Sequence, residues 1–96
     1  MSAFFQTGLE TWLRERDVTL CAVAGIATPF CVLTTVLDAV CHDFKAVLLE
    51  DCSMAGSREI HDRTLEIYRR NLLYPLLRVM PSLDLVSELN GLQLSR

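Results

Sequence analysis

Apolar positions along the chain change their period several times. Leu9, Trp12 and Leu13, with the stem of Arg16, recur at helical spacing, while Glu10, Arg14 and Glu15 fall on the opposite side. Thr7-Gly8-Leu9-Glu10 has the Thr-x-x-Glu form of a capping box, so a helix is expected from Gly8 to Arg16. Val18 to Gly25 is an almost unbroken apolar run, the pattern of a strand covered on both faces of a parallel sheet. Pro29 suits the first turn of the next helix, which runs to Cys41. Phe44 to Leu49 repeats the strand pattern and ends in Glu50-Asp51. Ser57 to Leu73 repeats the helix, with Ile60, Thr64, Ile67 and Asn71 down one stripe. Leu76 to Met80 reads as a third strand closed by Pro81, with Ser82 capping a last helix through Leu89.

Alternation of strands and helices at this spacing predicts an α/β fold of right-handed crossovers on a parallel sheet, in a single domain. The uncharged run from Val18 to Leu37 is also long enough to cross a bilayer. Pro29 would break a helix continuing from Val18, and Thr34 and Thr35 follow as a polar pair, so a strand, a turn and a new helix account for the run without lipid. The chain has 96 residues, 51% of them hydrophobic and 22% charged, enough to pack a core but only one. Its formal charge of -3 removes the basic footprint that nucleic acid or an anionic membrane surface requires. Cys21, Cys31, Cys41 and Cys52 are spaced as neither a metal knuckle nor a disulfide scaffold, so they read as thiols of a reducing compartment. The opening MSAFFQTGLE lacks the basic and apolar regions of a secretory signal, and a cytoplasmic location is expected.

Cys31 is the first residue with candidate chemistry. It follows Gly25-Ile26-Ala27-Thr28-Pro29-Phe30, where the carboxyl end of a strand turns into a helix and where open parallel sheets bind ligands. A thiol in the first turn of a helix faces unpaired amides and the positive end of the dipole, which favours the nucleophilic thiolate, and the same amides can hold an oxyanion. The competing reading makes Cys31 one more small buried hydrophobe, like the other three cysteines. His42 and His61 fit no zinc spacing, and a capping or surface hydrogen bond is expected of His61. No metal or other cofactor is called for.

With these residues in view, the sequence resembles the isochorismatase-like cysteine hydrolases, a family that includes nicotinamidases, carbamoylases and other small amidases. The resemblance rests on Gly25, Ile26, Ala27 and Thr28, followed by Cys31, Val32, Thr35, Asp38 and Ala39. Ser2-Ala3-Phe4 with Thr7 and Leu9, Leu48-Leu49-Glu50-Asp51, and Glu59 with His61 extend it over nearly the whole chain. It implies a three-layer α/β/α, Rossmann-like parallel sheet, and a Cys, Asp and Lys triad at the strand ends. It implies further that Cys31 attacks an amide carbonyl to form a thioester, that the Ile26–Ala27 peptide is cis, and that the amides of Ala27 and Cys31 make the oxyanion hole. Phe4, Thr28 and Phe30 are the candidate pocket walls, with plain core as the alternative for the two phenylalanines.

The departures from the family pattern are as informative as the matches. The family's Asp belongs to a strand with no counterpart here, and its Lys precedes the Ser-Ala-Phe match. Asp17, Asp38, Asp51 and Lys45 are not replacements, since Asp38 matches another family position and Lys45 opens the second strand, away from its carboxyl end. Residues 1–96 are therefore expected to form a partial domain, the carboxyl-terminal half of a hydrolase, with weak or no activity on a small-molecule amide unless the other half completes it. The alternative is a non-catalytic binding or oligomerisation module. Loss of a neighbouring strand would leave Val18 to Ala24 as an open apolar edge, and self-association is expected.

Overall fold

A computed structural model describes residues 2–94. Its elements in chain order are α1 (Leu9–Arg14), β1 (Leu20–Ile26), a π-helical turn (Thr28–Val32), α2 (Leu33–Cys41), β2 (Lys45–Met54), α3 (Arg58–Arg69), β3 (Leu77–Met80) and α4 (Ser82–Leu94). The three strands form one parallel sheet in the order β1-β2-β3. The apolar run that could have spanned a bilayer is divided among β1, the turn and α2, and no described helix is long and apolar enough to cross a membrane.

The core gathers on one face of the sheet. Ala46 and Leu48 of β2 meet Val36 and Ala39 of α2, Leu65 of α3, Phe44 and Leu77 in a single buried cluster. Val47 lies between Ala46 and Leu48 and so points to the opposite face, where it is fully buried and α4 packs on β2. Central β2 is thus covered on both sides, which is why its sequence is continuously apolar from Ala46 to Leu49. Strand β1 has β2 as its only described neighbour, and its outer edge is open.

Several boundaries differ from those the sequence suggests, each for a visible reason. The capping box does not form. Gly8 takes a left-handed conformation (φ 74°) and is itself the N-cap, while the Thr7 hydroxyl donates to the Ala3 carbonyl at 2.6 Å and accepts from the Leu9 N–H at 3.2 Å. Glu10 instead faces His42, 3.5 Å from Nε2. Strand β2 runs past Leu49 because it bulges and then pairs again: Val23 lies opposite Leu48, but Gly25 lies opposite Ser53. Helix α3 stops at Arg69, beyond which Asn71 closes a turn by donating to the Tyr68 and Leu77 carbonyls and accepting from the Leu73 N–H. Its buried side carries His61, Thr64 and Leu65, whereas Ile60 and Ile67, which spacing puts on one stripe with Thr64, are exposed. The final helix extends beyond Leu89, and its first amide is capped from another element: the Asp51 carboxylate accepts from the Ser82 N–H at 2.7 Å and the Ser82 hydroxyl at 2.6 Å. Those bonds hold the Asp51 carboxyl below its ordinary pKa.

Candidate active site

The site lies where β1 ends. Gly25 has φ 125°, a conformation that L side chains rarely adopt, and the Ile26–Ala27 peptide that follows is cis. The Ala27 carbonyl then accepts two hydrogen bonds, from the Phe30 N–H at 3.0 Å and the Val32 N–H at 3.2 Å, which winds the chain into the wide turn before α2. Pro29 sits in the first positions of that turn, where a missing N–H costs nothing. No side chain caps the turn or the helix that continues it.

Cys31, half-buried, lines a cleft of about 390 Å³. The walls are Val23 to Ile26 of β1, Val32 and Thr35 following the cysteine, and Ser2 and Ala3 of the amino-terminal segment. That segment is held in place by a hydrogen bond from the Ala3 N–H to Thr35 Oγ1 at 3.1 Å, and Thr35 stands one helical turn after Cys31. Among the described residues the lining contains no charged side chain, and Cys31 is the one thiol facing this space. Asp17, Asp38, Asp51 and Lys45 all lie outside it.

None of the pocket-wall candidates lines this cleft, though Phe4 lines a second one beside it along β1. Phe4 is buried in the core, stacked on the His42 ring at 5.2 Å and tilted against Phe44 at 5.9 Å, with the Arg14 guanidinium over the other aromatic's ring at 4.1 Å. Phe30 is 58% exposed and does not line the cleft. Thr28 is fully buried, its hydroxyl 2.7 Å from His61 Nδ1. His61 is not a surface histidine: it is 8% exposed and bridges Thr28 to the Glu50 carbonyl, 3.1 Å from Nε2. Spacing could have pointed to Thr35, four residues after Cys31, and to a His61, Thr64, Leu65 stripe on α3. Nothing local marks Ser2 and Ala3 as cleft residues, because chain folding alone brings them there.

The other thiols differ in setting. Cys41 and Cys52 are exposed, and Cys21 lines a second cleft of about 360 Å³ along β1 that shares Val23, Ala24 and Thr35 with the first. Burial pushes the Cys21 thiol up, with Arg14 acting weakly against it. No disulfide links the four cysteines, and no group of three or more His, Cys, Asp or Glu side chains that could hold a metal occurs among the described residues.

The chain is similar in sequence and in fold to known proteins. The chain is 43% identical over 61 residues to the "probable inactive nicotinamidase" of Arabidopsis thaliana, a match spanning 62% of this chain and 31% of that protein. Among solved structures, an isochorismatase-like hydrolase from Alkaliphilus metalliredigens superposes with a TM-score of 0.79 at 25% identity, over 92% of this chain and 46% of the other. A nicotinamidase from Bacillus subtilis superposes with a TM-score of 0.69 at 32% identity, over 82% and 42%. The chain therefore spans less than half the length of these relatives. The isochorismatase domain matches residues 1–77, and on that match, together with the parallel sheet and the joint that carries Cys31, the chain belongs to the isochorismatase family.

Proposed function

We propose that this chain supplies the nucleophilic side of a cysteine amidase site acting on a small amide in the cytoplasm. Cys31 Sγ bonds to the amide carbonyl carbon, the C–N bond breaks, and the amine leaves with the proton. Water then cleaves the thioester to release the acid and restore the thiol. The backbone N–H groups of Ala27 and Cys31 are assigned to the oxyanion. The observation that carries this reading is the cleft itself: one thiol, no competing ionic group, and a helix start whose amides no side chain occupies. The relatives named nicotinamidase make nicotinamide the first substrate to try.

Among the described residues that line the cleft, none is a base to take the thiol proton or a cation to aid the departing amine. Loss of such partners in a concerted unit typically costs several powers of ten in rate, so the chain alone turns over slowly unless a second segment completes the site. The open, uncharged edge of β1 is where such a segment, or a second copy in self-association, would add. A cleft without a base among its described residues is the observation behind the second reading, a non-catalytic binding or oligomerisation module.

Competitive alkylation at neutral pH with peptide mapping tests the nucleophile, alongside an amide-hydrolysis assay and sedimentation. Cys31 is expected to label before Cys21, Cys41 and Cys52. Labelling of any of these ahead of Cys31 would sink the catalytic reading. Turnover within the ordinary range of about 1 to 1000 per second, lost in Cys31→Ser, would show the chain to be complete by itself.

A further inference from the structure

A single imidazole joins the two irregular stretches at the carboxyl end of the sheet. His61 of α3 is buried against the β2 bulge on one side and the Cys31 turn on the other. A carbonyl oxygen can only accept, so Nε2, 3.1 Å from the Glu50 carbonyl, carries the proton. In the neutral ring this leaves the Nδ1 lone pair to accept the Thr28 hydroxyl at 2.7 Å. Thr28 opens the turn, and Cys31 stands three residues further on. Glu50 is held to the same helix a second time, through its carboxylate and Arg69. The turn is therefore pinned inward at Thr28 by a side chain and at Phe30 and Val32 by the Ala27 carbonyl, with Cys31 between them facing the cleft.

Neither His61 nor Thr28 lines that cleft, so neither would touch a substrate bound beside Cys31. We propose that His61 is a positioning residue: held by the β2 bulge, it fixes through Thr28 where the Cys31 thiol stands. The proposal rests on the reading of Cys31 as nucleophile, and it assigns a task to a buried titratable side chain that the chemistry itself does not use.

The test measures iodoacetamide alkylation of Cys31 in the full chain against exposed Cys41 in the same molecule, with folding followed by circular dichroism. Thr28→Val, nearly the same shape without the hydroxyl, and His61→Phe are each expected to lower the Cys31 to Cys41 ratio about tenfold, because displacements near 1 Å can cost up to about a hundredfold in reactivity. Thr28→Ser restores the hydroxyl and is expected to stay within about twofold of the parent. Nitrogen-15 imidazole shifts supply a second readout: His61 in the parent shows the Nε2–H tautomer, and Thr28→Val moves the Nδ1 resonance. A folded Thr28→Val with an unchanged or raised ratio overturns the proposal, as does an Nδ1–H tautomer in the parent. Should His61→Phe not fold, Thr28→Val and the parent spectrum still decide. The two failures are separable. A parent Cys31 slower than Cys41 refutes the nucleophile, whereas a fast Cys31 indifferent to Thr28→Val refutes the positioning.

Discussion

Two strand-to-helix joints stand side by side at the carboxyl end of the sheet, and they are finished differently. After β2, Gly56 needs no unusual backbone angle and the Ser57 hydroxyl accepts from the Ile60 N–H at 3.2 Å, an ordinary cap on α3. The start of α4 is closed in the same spirit by Asp51. After β1, Gly25 sits at φ 125°, the next peptide is cis, the turn is wide, and no side chain takes up the amides. One joint is closed by a side-chain cap, the other only by the Ala27 carbonyl, which accepts from the Phe30 and Val32 N–H groups on either side of Cys31. In this chain the joint that carries Cys31 is the one without a side-chain cap.

The contrast breaks most readily at the two glycines. Gly25→Ala is expected to cost about 1 to 3 kcal/mol, since open space surrounds the position and the penalty is purely that of the backbone angle. Gly56→Ala, in equally open space without that angle, should stay within about 0.5 kcal/mol. Equal losses in urea unfolding would mean the joints are not differently strained. A smaller effect belongs to Ser57→Ala, expected to lower stability by about 1 kcal/mol while leaving the alkylation rate of Cys31 unchanged. A slowed Cys31 would show that the joints are coupled rather than separate.

The smallest effect concerns Asp51 and shows only along the pH axis. Its folded pKa lies below its unfolded one, about 3.9, so its capping contribution is complete above that value and is lost as pH falls through the folded value. Asp51→Ala should therefore be less stable than the parent at neutral pH, with the gap closing in acid. A gap that persisted to the lowest pH at which both fold would assign the effect to packing rather than to the carboxylate.

Much of this architecture could be read from apolar runs, because strands covered on both faces leave continuous hydrophobic stretches and Pro29 marks where a helix begins. Cys31 could be placed for the same reason: it follows directly from where Val18 to Gly25 ends. What could not be read depends on contacts between distant segments. The bulge in β2 is a matter of register against β1, and nothing in Glu50-Asp51-Cys52 announces it. His61 is defined by partners 11 and 33 positions away, and with Leu65 in the core it lies on a face of α3 other than the stripe its isoleucines suggest. Thr7 and Glu10 have the spacing of a box, but a left-handed Gly8 between them sends each to a different partner. Phe4 is aromatic beside a motif, yet it packs on Phe44 and His42 and lines the second cleft along β1 rather than the one that holds Cys31.

The bulge in β2 divides the sheet into two tiers. Below it, Leu20 to Val23, Lys45 to Leu49 and Leu77 to Met80 make a ladder three strands wide; above it, Gly25 and Ile26 face Ser53 and Met54 with no third strand beside them. Local opening in proteins costs least where few neighbours must separate, so amide hydrogen exchange should divide along the same line, slow at the base and fast at the tip. The tip bears the cysteine turn. Local opening is therefore expected first at the tip, limited there by the hydrogen bond between Thr28 and His61, while the base stays shut.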